Sequence, residues 1–203
     1  MSTVVTVRKN GFTAIAADTL SSFGTRKLSA THNRQASKIL RVGDSYIGIT
    51  GWGVQKLVLE HLFASMSVTP RLADKAEIFD LLLKLHQRLK DAYYLVSQAT
   101  SDDAFETSQL SLMIANASGI FGLYSNRSVI EFDRFWGSGS GSDYALGAMH
   151  ALYGGAADAR SIAEAAVLAA AEFDDSTGAP VESYVIPLHA AREVEQSDLL
   201  LKV

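Results

Sequence analysis

The chain has 203 residues, with 18 Lys and Arg against 22 Asp and Glu for a formal charge of -4, and no cysteine. That charge argues against a dedicated nucleic-acid or anionic-membrane surface, and the missing thiols rule out disulfides and thiolate-held metal while fitting a reducing cytoplasm. With 48% hydrophobic and 20% charged residues, the expectation is a single domain over residues 1–203 with a core of its own and no membrane span. The longest apolar-looking stretch, residues 152–171, is broken by Asp158, Arg160 and Glu164, and residues 1–10 carry no signal-peptide apolar block.

Residues 3–9 and 12–18 are both β-leaning, and Asn10-Gly11 lies between them. Asn-Gly suits the two positive-φ positions of a type I′ hairpin, a register in which Val7 faces Ala14, Thr3 faces Asp18 and Ser2 lies beside Thr19. The N-terminal residues and Asp18 are thereby brought together. A polar connection follows over residues 21–37, then strand candidates at 39–42 and 45–50, split by Gly43-Asp44 as a second hairpin. Gly51-Trp52-Gly53 breaks the run, after which Val54, Leu57, Val58, His61, Leu62 and Met66 recur at helical spacing. Asp74 and Glu77 form a capping pattern for a longer helix, with Ile78, Leu82, Leu85, Leu89, Ala92 and Val96 on one face.

After a polar loop at 100–108, strands are expected at 109–116, 119–124 and 129–135. The Gly/Ser run 137–142 leads into a helix carrying Tyr144, Ala145, Ala148, Met149 and Leu152. Ser161 to Glu164 can cap an Ala-rich helix that reaches about Phe173, and beyond Gly178-Ala179-Pro180 a last strand runs over 181–189. Strands, two helices, strands, two helices and a strand predict an α/β protein: a four-layer αββα sandwich of two stacked antiparallel sheets flanked by helices.

Removal of Met1, which a small second residue such as Ser normally allows, would put a hydroxyl and a free α-amine on Ser2. An α-amine titrates near about 7.7–8.0, so it serves as a neutral base near neutrality far more readily than a lysine does. A neighbouring cation disfavours its ammonium form further. Asp18, at the end of the partner strand, and Lys38, at the start of the next, could form an ion pair there. A surface salt bridge is the plainer reading of that pair.

These segments together resemble the β-type proteasome family, in particular the bacterial HslV-like proteasome homologues, with the betaproteobacterial proteasome homologue branch as one candidate within them. The likeness spans nearly the whole chain and lies in Ser-Thr-Val-Val-Thr-Val-Arg-Lys-Asn-Gly at 2–11, Ala-Ala-Asp at 16–18, Ser-Lys-Ile at 37–39, Gly-Ser-Gly-Ser-Asp-Tyr-Ala at 139–145 and Asp-Asp-Ser-Thr-Gly at 174–178. It implies an N-terminal nucleophile hydrolase fold and a peptidase whose active sites face the chamber of a homo-oligomeric stacked double ring in the cytoplasm. Polypeptide substrates would be delivered by an AAA+ ATPase unfoldase, and no cofactor would be needed. By resemblance, Ser2 matches the nucleophile, Asp18 the carboxylate and Lys38 the lysine of the site. Ser140 matches the serine of the Gly-Ser-Gly turn, and Asp174 and Thr177 the later pair that orients the terminal amine. Substrate contacts fall on Ser22, Thr50, Gly51, Trp52 and Gly53, with an oxyanion donor among the backbone N–H groups of 51–53.

Three departures stand out. Ser2 replaces the usual Thr and lacks the γ-methyl that stiffens the rotamer. Trp52 stands where a paired glycine is expected and could crowd the groove, and Thr177 replaces Ser while keeping the hydroxyl. Thr3 would become the terminus only if Met1 and Ser2 were both removed. A ring-forming scaffold without proteolysis and a small-molecule amidase are the rival functions.

Other features point elsewhere or nowhere. The run 137–142 lacks both the G-x-G-x-x-G spacing and a following G-K-[ST], so a strand-to-helix turn is the better reading than a nucleotide site. His32, His61, His86, His150 and His189 are scattered without ligand-like pairing, and no metal is expected. Asp102 and Asp103 read as solvated loop residues.

Overall fold

Asn10 and Gly11 adopt φ of 51° and 79°, the paired positive values of a type I′ turn, and the register follows: Val7 faces Ala14 and Lys9 faces Phe12. The computed structural model describes residues 2–97 and 104–189; Met1 and the acidic neighbours Asp102 and Asp103 lie outside them. In chain order the elements are β1 (Thr3–Lys9), β2 (Phe12–Asp18), β3 (Ser21–Phe23), β4 (Arg26–Leu28), β5 (Ile39–Val42) and β6 (Ser45–Thr50), then α1 (Val54–Ala64) and α2 (Lys75–Tyr93). They continue as β7 (Ser111–Ala115), β8 (Ile120–Leu123), β9 (Val129–Phe132), β10 (Phe135–Gly139), α3 (Ser142–Tyr153), α4 (Ala159–Phe173) and β11 (Val181–Pro187).

One antiparallel sheet has the order β10-β1-β2-β11 and a second the order β5-β6-β7-β8-β9. The first hairpin is buried on both faces, which is why its sequence reads as an almost unbroken apolar run. Val5, Val7, Ala14 and Ala16 pack with Met149 of α3 and with Ile162, Ala166 and Val167 of α4. Val4, Ile15 and Ala17 point the other way and meet Ile39, Met113, Ala115 and Ile120 of the second sheet. The opposite face of that sheet, through Ile47, Ile49, Leu112 and Phe121, packs with Leu59 and Leu62 of α1 and with Ile78, Leu82 and Leu85 of α2. Gly48 lets the two sheets close on each other: a Cβ there would lie 2.3 Å from Cγ1 of Val4. Among the described residues no helix is long and apolar enough to cross a membrane.

The expected capping of α2 is present. Asp74 accepts from the Glu77 amide at 2.9 Å, and the Glu77 carboxylate accepts from the Ala73 amide at 3.0 Å. Tyr94 then turns left-handed at φ 57°, so Val96 falls beyond the helix. The cap of α4 is Asp158 rather than Ser161: its carboxylate accepts from the Ser161 amide at 2.7 Å, which places Ser161 inside the first turn.

Two other expectations change. The polar connection over 21–37 contains the short β3–β4 hairpin and a 3₁₀ turn at Ala30–His32, too brief to show a period. The strand expected over 129–135 ends at Phe132, and a separate strand, β10, runs through the start of the Gly/Ser run to pair with β1. Glycine and serine are poor strand formers, and here the partner strand decides.

Candidate active site

The end of β2, the start of β1, the start of β5 and the turn from β10 into α3 converge on Ser2. Asp18 is fully buried, and each of its oxygens is occupied. Oδ1 accepts from the Thr3 amide at 2.9 Å, while Oδ2 accepts from Lys38 Nζ at 2.7 Å, the Leu20 amide at 3.1 Å and the Gly178 amide at 3.3 Å. Lys38 Nζ also donates to the Leu20 carbonyl at 2.6 Å. Burial holds the Lys38 ammonium below the ordinary lysine range, and Asp18 is the strongest of the carboxylates that pull it back, ahead of Glu182 and Asp174. The expected ion pair is therefore a buried, multiply hydrogen-bonded pair rather than a surface salt bridge.

A second polar group forms at the other side of Ser2. The Ser140 amide donates to the Ser2 carbonyl at 3.0 Å, while the Ser140 hydroxyl donates to Asp174 Oδ2 at 2.7 Å. The Thr177 hydroxyl donates to the same oxygen, which leaves its lone pair to the Thr3 hydroxyl 2.7 Å away. Asp174 is placed by the end of α4, its amide closing on the Ala170 carbonyl at 2.8 Å. Glycine is required twice in this turn. A Cβ on Gly139 would fall 1.7 Å from the Ser2 carbonyl oxygen, and one on Gly141 would fall 2.4 Å from the Thr3 hydroxyl.

Ser2 lines two adjoining clefts. One, of about 170 Å³, is bounded by Ser22, Ser37, Lys38, Ile49 and Lys56; the other, of about 480 Å³, by Gln55, Gln109, Ser111, Ser138 and Ser140. Thr50, Gly51 and Trp52 border both, and Gly53 borders the first. Gly51 has φ 114°, a value that suits glycine, and residues 51–53 lead into the N-terminus of α1, the end of a helix with unsatisfied N–H groups. The Trp52 indole is 76% exposed, so it stands at the rim and does not fill either cleft. Thr50 joins the two sheets at the floor, its hydroxyl 2.9 Å from that of Ser138.

Of the eleven residues singled out in the sequence, Asp18, Lys38, Ser140, Asp174 and Thr177 form the two hydrogen-bonded groups beside Ser2, and Ser22, Thr50, Gly51, Trp52 and Gly53 line the clefts that Ser2 borders. Thr3 is committed elsewhere, its amide to Asp18 and its hydroxyl to Thr177. The sequence reading missed Ser138, Lys56 and Glu182. Ser138 lay in the run read as a strand-to-helix turn, Lys56 had only a helix face to mark it, and Glu182 depended on the long-range pairing of β11 with β2. The five histidines contribute no ligand cluster, and no group of metal-binding side chains occurs among the described residues.

No protein-family model matches the chain, and neither does any curated protein. Among solved structures, Thiobacillus denitrificans BPH in complex with epoxomicin is 46% identical, with a TM-score of 0.87 over 93% of this chain and 100% of that one. This chain belongs to the bacterial proteasome homologues of the β-type proteasome family. A second structure of Thiobacillus denitrificans BPH agrees, at 47% identity and a TM-score of 0.87 over 92% of this chain and 98% of that one. Eukaryotic HslV from Trypanosoma brucei, at 22% identity and a TM-score of 0.64 over 91% of this chain and 99% of that one, shares the fold. The bacterial proteasome homologue described here accordingly has a proteasome-type peptidase fold, with the antiparallel sheets and four helices of an N-terminal nucleophile hydrolase.

Proposed function

We propose that this protein is an endopeptidase of the N-terminal nucleophile type, in which Ser2, exposed by removal of Met1, hydrolyses peptide bonds. The observation that supports this best is the meeting, at one residue, of two separately built polar groups: Lys38 with Asp18 on one side, and Ser140 with Asp174 and Thr177 on the other.

The Ser2 hydroxyl attacks the peptide carbonyl and its proton passes to the α-amine of the same residue, directly or through one water. Lys38, held by Asp18, supplies the nearby positive charge that keeps this amine neutral at working pH. Ser140, Asp174 and Thr177 orient the terminal residue through its carbonyl and the strand beside it. The tetrahedral oxyanion is met by backbone N–H groups of the 51–53 loop. Collapse of the intermediate breaks the C–N bond, the amine returns its proton to the leaving nitrogen, and an ester on Ser2 remains. Water, deprotonated by the same amine, then cleaves the ester and restores the hydroxyl. Ser22, Thr50, Gly51, Trp52 and Gly53 line the substrate path.

The layer order that goes with this reading is helices, sheet, sheet, helices: the four-layer sandwich with its active site at one edge of the sheets. Chambered proteolysis also implies a homo-oligomeric stacked double ring in the cytoplasm, closed to folded proteins and fed with polypeptides by an AAA+ unfoldase. Epoxomicin, bound in the relative, is a peptide epoxyketone, and that warhead reacts with a hydroxyl and a free amine carried on one residue.

The test is reaction of the Met1-free protein with a peptide epoxyketone, together with hydrolysis of fluorogenic peptides. Wild type should form one adduct per chain, and Ser2→Ala should abolish both adduct and cleavage. Peptide cleavage that survives Ser2→Ala would remove Ser2 as nucleophile. Absence of an adduct on the processed chain would favour the scaffold, and hydrolysis of small amides alone would make the protein an amidase.

A further inference from the structure

Glu182 takes no part in the chemistry above, yet one oxygen of its carboxylate accepts three hydrogen bonds. The donors are the Ser37 hydroxyl at 2.9 Å, the Lys38 amide at 2.8 Å and the Ile39 amide at 3.0 Å. In the β2–β11 ladder Glu182 faces Ala17, and its neighbour Val181 faces Asp18. One strand pair therefore carries two carboxylates that grip Lys38 at opposite ends: Asp18 at the ammonium, Glu182 at the main chain. From the other side, Lys56 Nζ of α1 donates to the Ser37 carbonyl at 2.8 Å.

A lysine side chain has several rotatable bonds and loses much freedom when its head is fixed. Anchoring the Cα end removes the remaining play, and hydrogen bonds to an ionised acceptor are the strong kind. We propose that Glu182 is a positioning residue, fixing the main chain of Lys38 so that its ammonium is delivered to Asp18 in the cleft that Ser2 lines. This proposal rests on the peptidase reading for its catalytic consequence, whereas the anchoring itself can be measured without it. Glu182 acts in a second way. The charges that act on Lys38 are Asp18 from β2, Glu182 from β11 and Asp174 at the end of α4, while Lys56 from α1 is engaged with the Ser37 carbonyl next to it, and removal of Met1 would add the α-amine of Ser2 on the cleft that Lys38 also lines. Glu182 adds to Asp18 in favouring the charged lysine against its burial.

Three variants separate anchoring from charge. Glu182→Gln keeps a carbonyl acceptor and loses the charge, Glu182→Asp keeps the charge and loses reach, and Glu182→Ala loses both. Amide hydrogen exchange of the peptide spanning residues 37–39 should rise sharply in Glu182→Ala and Glu182→Asp and little in Glu182→Gln. The rate of epoxyketone adduct formation should fall on the order of a hundredfold in Glu182→Ala, as misplacement of a catalytic group does. In Glu182→Gln the alkaline limb of its pH profile should move to lower pH, because the ammonium has lost one supporting charge.

Wild-type exchange at 37–39 in Glu182→Ala would overturn the proposal. So would lost protection in Glu182→Ala combined with an unaltered pH profile in Glu182→Gln and an unaltered rate in all three variants, the result expected of a plain structural tie. Should Glu182→Ala fail to fold, Glu182→Gln and Glu182→Asp decide the same points. A wild-type protein that forms no adduct would instead overturn the proposed function, a result that none of the exchange measurements could mimic.

Discussion

Lys38 Nζ sits 2.7 Å from Oδ2 of Asp18, a carboxylate with no exposed surface, while the lysine side chain keeps 12% of its own. Such a pair is costly to form and more costly to break, because removing either partner strands the other charge in a poor solvent. Lys38→Met should therefore destabilise the protein by about 3–5 kcal/mol in chemical denaturation, and Asp18→Asn by a similar amount. The double variant should recover much of that loss, since both charges go together, yet form no epoxyketone adduct. Additive losses in the double variant would mean that the two side chains do not depend on each other.

The direction of the Lys38 shift sets a pH dependence. Burial lowers its folded-state value from the ordinary 10.5, so the ammonium is lost at a lower pH in the folded protein than in the unfolded chain. A reaction that needs this cation should decline on the alkaline side before pH reaches the ordinary lysine value. Over the same window the unfolded chain holds more protons than the folded one, so this group makes stability rise with pH. The rate of adduct formation and the denaturation midpoint, followed across alkaline pH, should thus move in opposite directions. An adduct rate that stays flat up to the ordinary lysine value would disconnect Lys38 from the reaction.

Two positive-φ glycines make a matched comparison. Gly11, at φ 79°, has nothing within 4 Å of an added Cβ, whereas at Gly139, φ 105°, that Cβ would lie 1.7 Å from the Ser2 carbonyl oxygen. Gly11→Ala should cost about 1–2 kcal/mol of backbone strain and leave the adduct rate unchanged. Gly139→Ala must push Ser2 aside, break its bond to the Ser140 amide and abolish adduct formation. Equal adduct rates in the two variants would show that the Ser2 carbonyl contact is unimportant.

Much of the fold was legible because the decisive signals are local. Asn10-Gly11 fixes a turn and with it a register, and Asp74 with Glu77 fixes a helix start; in both cases the partners are within a few residues. The site residues near the first hairpin were legible for the same reason, since that register carries Asp18 back to the chain start. What stayed hidden depends on partners far along the chain. β10 exists because β1 offers it an edge, against the preference of its glycines and serines. The β3–β4 hairpin is too short for a period to emerge. The importance of Glu182 is visible only once β11 lies beside β2, bringing it to Lys38 across 144 residues of chain.

Away from the site, Asp158 caps α4, and its carboxyl is held below the ordinary range chiefly by the backbone N–H of Ser161. Because the folded value is depressed, the stabilisation is present above the unfolded value and is lost as pH falls through the folded one. Asp158→Ala should lower Tm at neutral pH, with the difference from wild type shrinking as the solution is acidified, and should leave the adduct rate untouched. A Tm difference that is independent of pH would assign the loss to something other than the charged cap.

Everything proposed for Ser2 requires a free amine on that residue. Intact mass of the protein purified from its native cell, before and after exposure to a peptide epoxyketone, measures this directly. The expected spectrum is a chain lighter by one methionine that gains the mass of one inhibitor. A chain that keeps Met1 and gains nothing would contradict the account, because its Ser2 nitrogen would be an amide with no base to offer.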